Sequence, residues 1–226
     1  MAVVDSEQRG GHAGGFTSDC RKCARLARFL KDIGQQYPNY FSRPVPSFGD
    51  PSASLLIVGL APGLHGANAT GRPFTGDFAG VLLYETLFRF GFADRPTSEG
   101  AQDGLILSGC RITNAVRCVP PQNKPTSAEV RTCNGYLVQE ISALADRAVV
   151  LALGGIAHGA VLRAVGQRLA RHPFGHGRVH EIARGMRLVD SYHCSRYNTQ
   201  TGRLTRRMFD EVFALAQNLL DAPDAA

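Results

Sequence analysis

Short apolar runs alternate along the chain with longer stretches in which apolar residues recur at helical spacing. Leu55-Leu56-Ile57-Val58 is too short for a helix and stops at a glycine, which is the signature of a buried strand. Cys110 to Cys118, entered from Leu105-Ile106-Leu107, gives a second strand candidate, Val149 to Leu153 a third and Leu188 to His193 a fourth. Ser18 to Ile33 has apolar residues at Leu26, Phe29, Leu30 and Ile33, predicting a helix. Phe78 to Phe92 repeats the pattern, and Thr205 to Leu220 closes the chain with an amphipathic helix. Thr126-Ser127-Ala128-Glu129 is a capping box and predicts a helix from there to about Ala145, while Gly154-Gly155 opens another running to about Arg171. Pro38, Pro44 and Pro46 make the stretch Tyr37 to Asp50 a connector, and His172 to Arg187 reads as a hairpin or irregular loop.

Strands alternating with helices predict an α/β fold around a central, largely parallel four-stranded sheet flanked by helices. One domain over 18–220 is expected, after a flexible N-terminus (1–17) and before a short tail (221–226). In such sheets, sites gather at the carboxyl ends of the strands. Those ends carry Gly59 to Gly76, the Asn114 to Cys118 region, Gly154-Gly155, and His193 to Asn198.

Composition narrows the classes. No apolar run approaches the roughly 20 residues that span a bilayer, so a soluble, cytoplasmic protein without a membrane partner is expected. The net charge of +6 suits an anionic partner, and the basic residues fall in two segments: Arg111, Arg117 and Lys124, and Arg196, Arg203, Arg206 and Arg207. Six cysteines are many where disulfides do not form, which points to a metal centre. Cys20 and Cys23 form a CxxC, whereas Cys118 and Cys133 have fourteen residues between them. That spacing leaves zinc and an iron–sulfur cluster both open. Cys110 begins an apolar strand and reads as core. Cys194 adjoins His193, but neighbours in an extended segment point to opposite faces, so the two are not a nucleophile pair. His172, His176 and His180 recur at every fourth position, yet Pro173, Gly175 and Gly177 exclude a helix there, and a surface hairpin is expected.

The glycine-rich stretch GLAPGLHGANATGRPFTGD, Gly59 to Asp77, has neither the Gly-Lys-Ser/Thr of a P-loop nor a G-x-G-x-x-G. A loop of this length at a strand end is characteristic of function. It resembles the first motif of the uracil-DNA glycosylase superfamily in its type-B iron–sulfur branch, often called family five. HCSRYNTQTGRLT, His193 to Thr205, resembles the second motif, and ITNAVRC with the Pro-Pro-x-Asn-Lys-Pro that follows resembles the same branch. The resemblance covers Cys20 to about Leu220.

It implies a monomeric DNA-repair enzyme that hydrolyses the bond between uracil and deoxyribose, with other deaminated bases such as hypoxanthine as further substrates. It also implies a [4Fe–4S] cluster on Cys20, Cys23, Cys118 and Cys133. Gly59, Ala61, Phe74, Asn114 and His193 would form the base pocket, with Phe74 stacking on the flipped base. Asn114 has both a donor and an acceptor for the uracil edge, and His193 would donate to the negative charge developing on the departing base. Ala61 stands where several branches place a polar water-activating residue, and this departure hands that role to Asp77. At the start of a helix Asp77 has an alternative use, complementing the helix dipole. Lys124, Arg196, Tyr197, Asn198 and Arg203 would contact DNA. Two other classes stay open: a catalytically silent lesion-binding module on the same scaffold, and an iron–sulfur electron-transfer protein.

Overall fold

The computed structural model describes residues 15–222, so most of the expected loose N-terminus and of the tail lie outside the described residues. Six strands form one sheet: β1 (Phe48–Gly49), β2 (Leu55–Gly59), β3 (Cys110–Asn114), β4 (Val149–Leu153), β5 (Val179–Glu181) and β6 (Arg187–Ser191). Their order is β1-β3-β2-β4-β6-β5. The four central strands are parallel, as the sequence predicts. The expectation of four strands is corrected by the two edges, β1 on β3 and β5 on β6, which are both antiparallel. Both edge strands are two or three residues long and lie in segments that read as connector and loop. So short a strand has no periodicity of its own; it exists because a longer neighbour offers it a ladder.

Seven α-helices accompany the sheet among the described residues: α1 (Ala24–Gln36), α2 (Ala67–Thr70), α3 (Phe78–Arg89), α4 (Ser127–Ser142), α5 (Gly155–Ala164), α6 (Arg196–Gln200) and α7 (Arg206–Asp221). Strand side chains alternate between two cores, as the pleat requires. Leu55, Ile57, Ile112, Leu151 and Val189 pack on Leu83 and Leu87 of α3 and on Phe209 and Phe213 of α7. Leu56, Val58, Val150, Ala152 and Leu188 face the other way, onto Leu137 and Ile141 of α4 and Ala160 and Val161 of α5. Because both faces are covered, the central strands are continuously apolar, and this is why they were legible as runs.

The capping box at Thr126 forms as predicted: its hydroxyl accepts from the Glu129 N–H, and the Glu129 carboxylate accepts from the Thr126 N–H. Glu129 also takes a two-pronged ion pair from Arg25 of α1, at 2.8 and 2.7 Å, so one carboxylate starts α4 and docks α1 against it. Between Gln36 and β2 the connector is held by a buried charge network. Glu140 of α4 accepts from Arg111 at 2.7 Å and Arg117 at 2.9 Å, and it also bonds Ser47. Of the three histidines expected on a surface hairpin, one departs from that expectation, while the other two are half-buried. His180 is buried on β5, and His172 and His176 pack against it and against Tyr192 respectively.

Removing Glu140 would leave two buried guanidinium groups without a counter-charge. Glu140→Ala is expected to lower unfolding stability by about 3–5 kcal/mol, measurable as a shift of the urea midpoint with unchanged slope.

Candidate active site and four-cysteine pocket

In-register pairing sets Gly59, the last residue of β2, beside Asn114, the last of β3. Gly59 matters for what it lacks: a Cβ there would lie 2.4 Å from Asn114 Oδ1 and 2.6 Å from Phe74 Cζ. Phe74 is therefore drawn down onto the strand ends, and it is held in a left-handed conformation (φ 57°) that non-glycine residues rarely adopt. Tyr84 of α3 fixes this turn by donating its hydroxyl to the Pro73 carbonyl at 2.8 Å. Asn114 is buried, and its Oδ1 has no hydrogen-bond partner among the described residues. A buried acceptor left unpaired costs about 1–3 kcal/mol, and such groups mark places where a ligand is to be met.

His193 follows β6 and faces Phe74, ring centroids 5.8 Å apart and planes inclined by 27°. Its carbonyl accepts from the Asn198 side chain at 2.8 Å, and Asn198 in turn sits in the first turn of α6, capped by Ser195. Burial pulls the imidazole down to about 4. It is thus a neutral ring at physiological pH, offering one N–H without a positive charge.

Asp77 caps α3, accepting the Gly80 N–H at 3.0 Å. Burial raises its carboxyl above the usual carboxylate range, against the lowering effect of the Gly80 and Ala79 amides. A side chain on Gly66 would meet Asp77 Oδ2 at 2.6 Å, so the motif-one loop closes over the carboxylate only because that residue is glycine. Two adjoining clefts, of about 380 and 680 Å³, share Asp77, Phe78 and Arg196. The first also contains Ala61, His193 and Asn123, so the structure brings both motifs to one mouth. Asn123 went unnoticed as a site residue. Its positive φ of 55° beside that of Gln122 (56°) is a product of the Pro120–Pro125 loop and has no sequence signature beyond the prolines.

Of the residues expected on DNA, Tyr197 projects from α6 and is 71% exposed. Arg196 lies over the Phe78 ring at 5.7 Å and Arg203 over Tyr192 at 4.7 Å. Lys124 is exposed in the proline loop, where its carbonyl accepts from Arg25. Asn198 is turned toward His193.

Cys20, Cys23, Cys118 and Cys133 line one pocket together with Leu26, Val116 and Tyr136. Cys23 is the cap residue of α1, Cys118 follows β3 and Cys133 lies on α4, so three distant segments meet here. Burial and mutual repulsion push the Cys118 thiol up, and burial pushes up Cys133 and Cys23. Such a set is held as thiolates only with a cationic centre among them. The Arg117 N–H donates to Cys133 Sγ at 3.3 Å, a contact of the kind that tunes a sulfur ligand. Cys110 and Cys194 are buried in the core of the α3–α7 face.

A doubly covered parallel sheet with a cleft at its carboxyl edge, beside exposed basic residues, places the chain among the α/β proteins that bind a ligand at the strand ends. The model of the uracil DNA glycosylase superfamily matches residues 46–217, and the chain belongs to that superfamily. It is 47% identical over 205 residues to a type-5 uracil-DNA glycosylase of Thermus thermophilus, covering 88% of this chain and 93% of that one. It is 45% identical over 212 residues to one from Mycobacterium tuberculosis (89% and 78% covered). Over 202 residues it is 42% identical to one from Pyrobaculum aerophilum (88% of each).

Gly59→Ala is expected to leave the fold intact and reduce excision at least 100-fold, because the added methyl displaces both Phe74 and Asn114; circular dichroism and single-turnover rates check the two halves. The pH profile should show no histidine inflection near 6.5, since His193 stays neutral down to about 4. If ionised Asp77 is required, the rate falls as pH drops through its raised carboxyl value, and Asp77→Asn flattens that limb while lowering the plateau.

Proposed function

We propose that the chain is a uracil-DNA glycosylase, acting as a monomer in the cytoplasm on uracil in DNA and leaving an abasic site. The observation that carries this reading is the unpaired Oδ1 of Asn114, buried beside Phe74 and His193. A pyrimidine with an N–H next to a carbonyl, as in uracil, satisfies that acceptor and can take a hydrogen bond back from the same amide. Cytosine reverses that pattern, with an acceptor at N3 and an amino donor at C4, so against an amide fixed for uracil acceptor meets acceptor and donor meets donor, which is the physical basis for rejecting it.

The reaction cleaves the C1′–N bond of a nucleotide turned out of the duplex. Phe74 supplies a face for the extruded base. The neutral His193 N–H donates to the base oxygen as the leaving group gains negative charge, a bond stronger in the transition state than before it. Asp77, next to the mouth and partly desolvated, orients water toward C1′ and faces the cationic sugar. Its use as a helix cap is compatible with this, since Oδ1 takes the Gly80 amide and Oδ2 is held beneath the motif-one glycines. Ala61 offers no polar atom to the pocket, so the pocket depends on leaving-group stabilisation. That dependence extends the substrate range to other deaminated bases such as hypoxanthine.

Cys20, Cys23, Cys118 and Cys133 would hold the [4Fe–4S] cluster; when bound, it ties α1 to α4 and to the proline loop that follows Cys118. Among the described residues the group with ligand atoms within 4.8 Å of one another is His158, His180 and Asp190, and the cysteine quartet is not such a group. A single tetrahedral zinc needs its sulfurs about 3.8 Å apart, from Zn–S bonds of about 2.3 Å, so the wider quartet suits a cluster. Tyr197, Arg196, Arg203 and Lys124 meet the duplex, with Tyr197 placed to fill the space left by the extruded base.

Excision from duplex DNA bearing one uracil tests the activity. Wild type should produce abasic sites, while Asn114→Ala and His193→Ala each lose on the order of 10²–10³-fold. Folded wild type that leaves uracil and hypoxanthine untouched would overturn the proposal. For the cluster, iron and acid-labile sulfide should be found in equal amounts without zinc, and Cys118→Ser should lose both together with thermal stability.

A further inference from the structure

His158, His180 and Asp190 are all buried and lie outside the base pocket. His158 places Nδ1 2.7 Å from Asp190 Oδ1 and Nε2 2.8 Å from the carbonyl of His172. The other carboxylate oxygen takes the Gly175 N–H at 3.2 Å and faces His180 Nε2 at 3.1 Å. These are hydrogen-bonded pairs, since two ligands about 2.0 Å from one tetrahedral metal sit about 3.3 Å apart, wider than the His158–Asp190 contact. One aspartate on β6 therefore clasps 172–180 to the strand that leads to His193. The backbone repeats the grip: Gly177 N–H donates to the Asp190 carbonyl at 2.8 Å, and Asp190 N–H to the Arg178 carbonyl at 2.9 Å.

The clasped segment and the turn before it carry three arginines. Arg168, Arg171 and Arg178 are exposed and, among the described residues, form no ion pair. Arg43, Arg89, Arg95 and Arg206, by contrast, each have a carboxylate beside them. β5 descends from Val179, paired with Val189, toward Glu181, so the 172–178 turn stands at the same edge of the sheet as His193. Tyr192, the residue before His193, joins the clasped segment to the second motif: His176 stacks on its ring at 4.9 Å and accepts its N–H at 3.1 Å, and Arg203 lies over the same ring.

We propose that Arg168, Arg171 and Arg178 form a DNA-backbone contact surface that continues the Arg203 side of the site along the outside of β5. Its ligand is the phosphodiester chain, read without sequence preference, and its rigidity comes from the buried Asp190 clasp. The proposal rests on the DNA-glycosylase reading but involves none of the residues assigned to the base pocket or to the chemistry.

The test measures binding of a uracil-free duplex from about 50 to 200 mM salt by wild type, Arg171→Ala/Arg178→Ala and the ion-paired control Arg95→Ala. Each lost phosphate contact makes the slope of log K against log salt shallower by about 0.9, so the double variant should lose about 1.8 and the control nothing. Excision at saturating DNA should stay within about twofold of wild type, because these contacts bind ground state and transition state alike. Asp190→Asn, verified as folded by circular dichroism, should shift the slope in the same direction. A double variant with the wild-type slope overturns the surface even if uracil is excised. A shallower slope in a protein that excises no base leaves the surface standing and removes the glycosylase instead.

Discussion

Four parallel strands covered on both faces leave chemistry only one place to go. The apolar side chains of β2, β3, β4 and β6 are consumed in packing against α3 and α7 on one side and α4 and α5 on the other. Polar residues that must meet a ligand can stand only where the ladders end. Register then decides which of them meet. Gly59 and Asn114 are partners in the last rung of β2 and β3, and Leu153 and Ser191 in the last rung of β4 and β6. A slip of one residue would turn Asn114 to the opposite face of the sheet.

At that edge, groups unfavourable in isolation become useful together. Phe74 in a left-handed backbone, an amide oxygen without a partner and an imidazole held neutral by its surroundings are each a cost to folding. The two cores and the Tyr84–Pro73 bond hold them in place. In the proposed function the rigid, neutral donor meets the charge on the departing base, and the unsatisfied acceptor meets the base N–H. The four-cysteine pocket lies on the far side of the same loop system, linked to it through Arg117, whose backbone reaches Cys133 while its guanidinium anchors on Glu140.

Much of the scaffold was legible because its signals are local. Val149 to Leu153 is read to the residue, and the Thr126 box starts α4 where the pattern places it. Helix ends were less so: the stretch read as helix to Arg171 ends at Ala164, because Gly166 takes a left-handed backbone and the chain resumes only as a short 3-10 turn. In the site, the two long motifs could be quoted from the chain. The partnership of Gly59 with Phe74, the inward turn of Asn198 and the presence of Asn123 at the mouth could not.

By itself the sequence determined the elements whose physics is contained within them: apolar runs, amphipathic periods, the capping box, and the residue types able to bind a base or a metal. Tertiary structure alone decided what depends on a neighbour distant in the chain. β1 and β5 exist as strands only beside β3 and β6, and four cysteines from three segments share a pocket only after α1 docks on Glu129. The histidines at 172, 176 and 180 show the same division. Pro173, Gly175 and Gly177 excluded a helix, but only β6, which brings Asp190 beside His180 and Tyr192 beside His176, decided that His180 is buried in a clasp. Hydrogen bonds and ion pairs act over a few ångströms of space, and spacing along a chain does not record which atoms folding will bring that close.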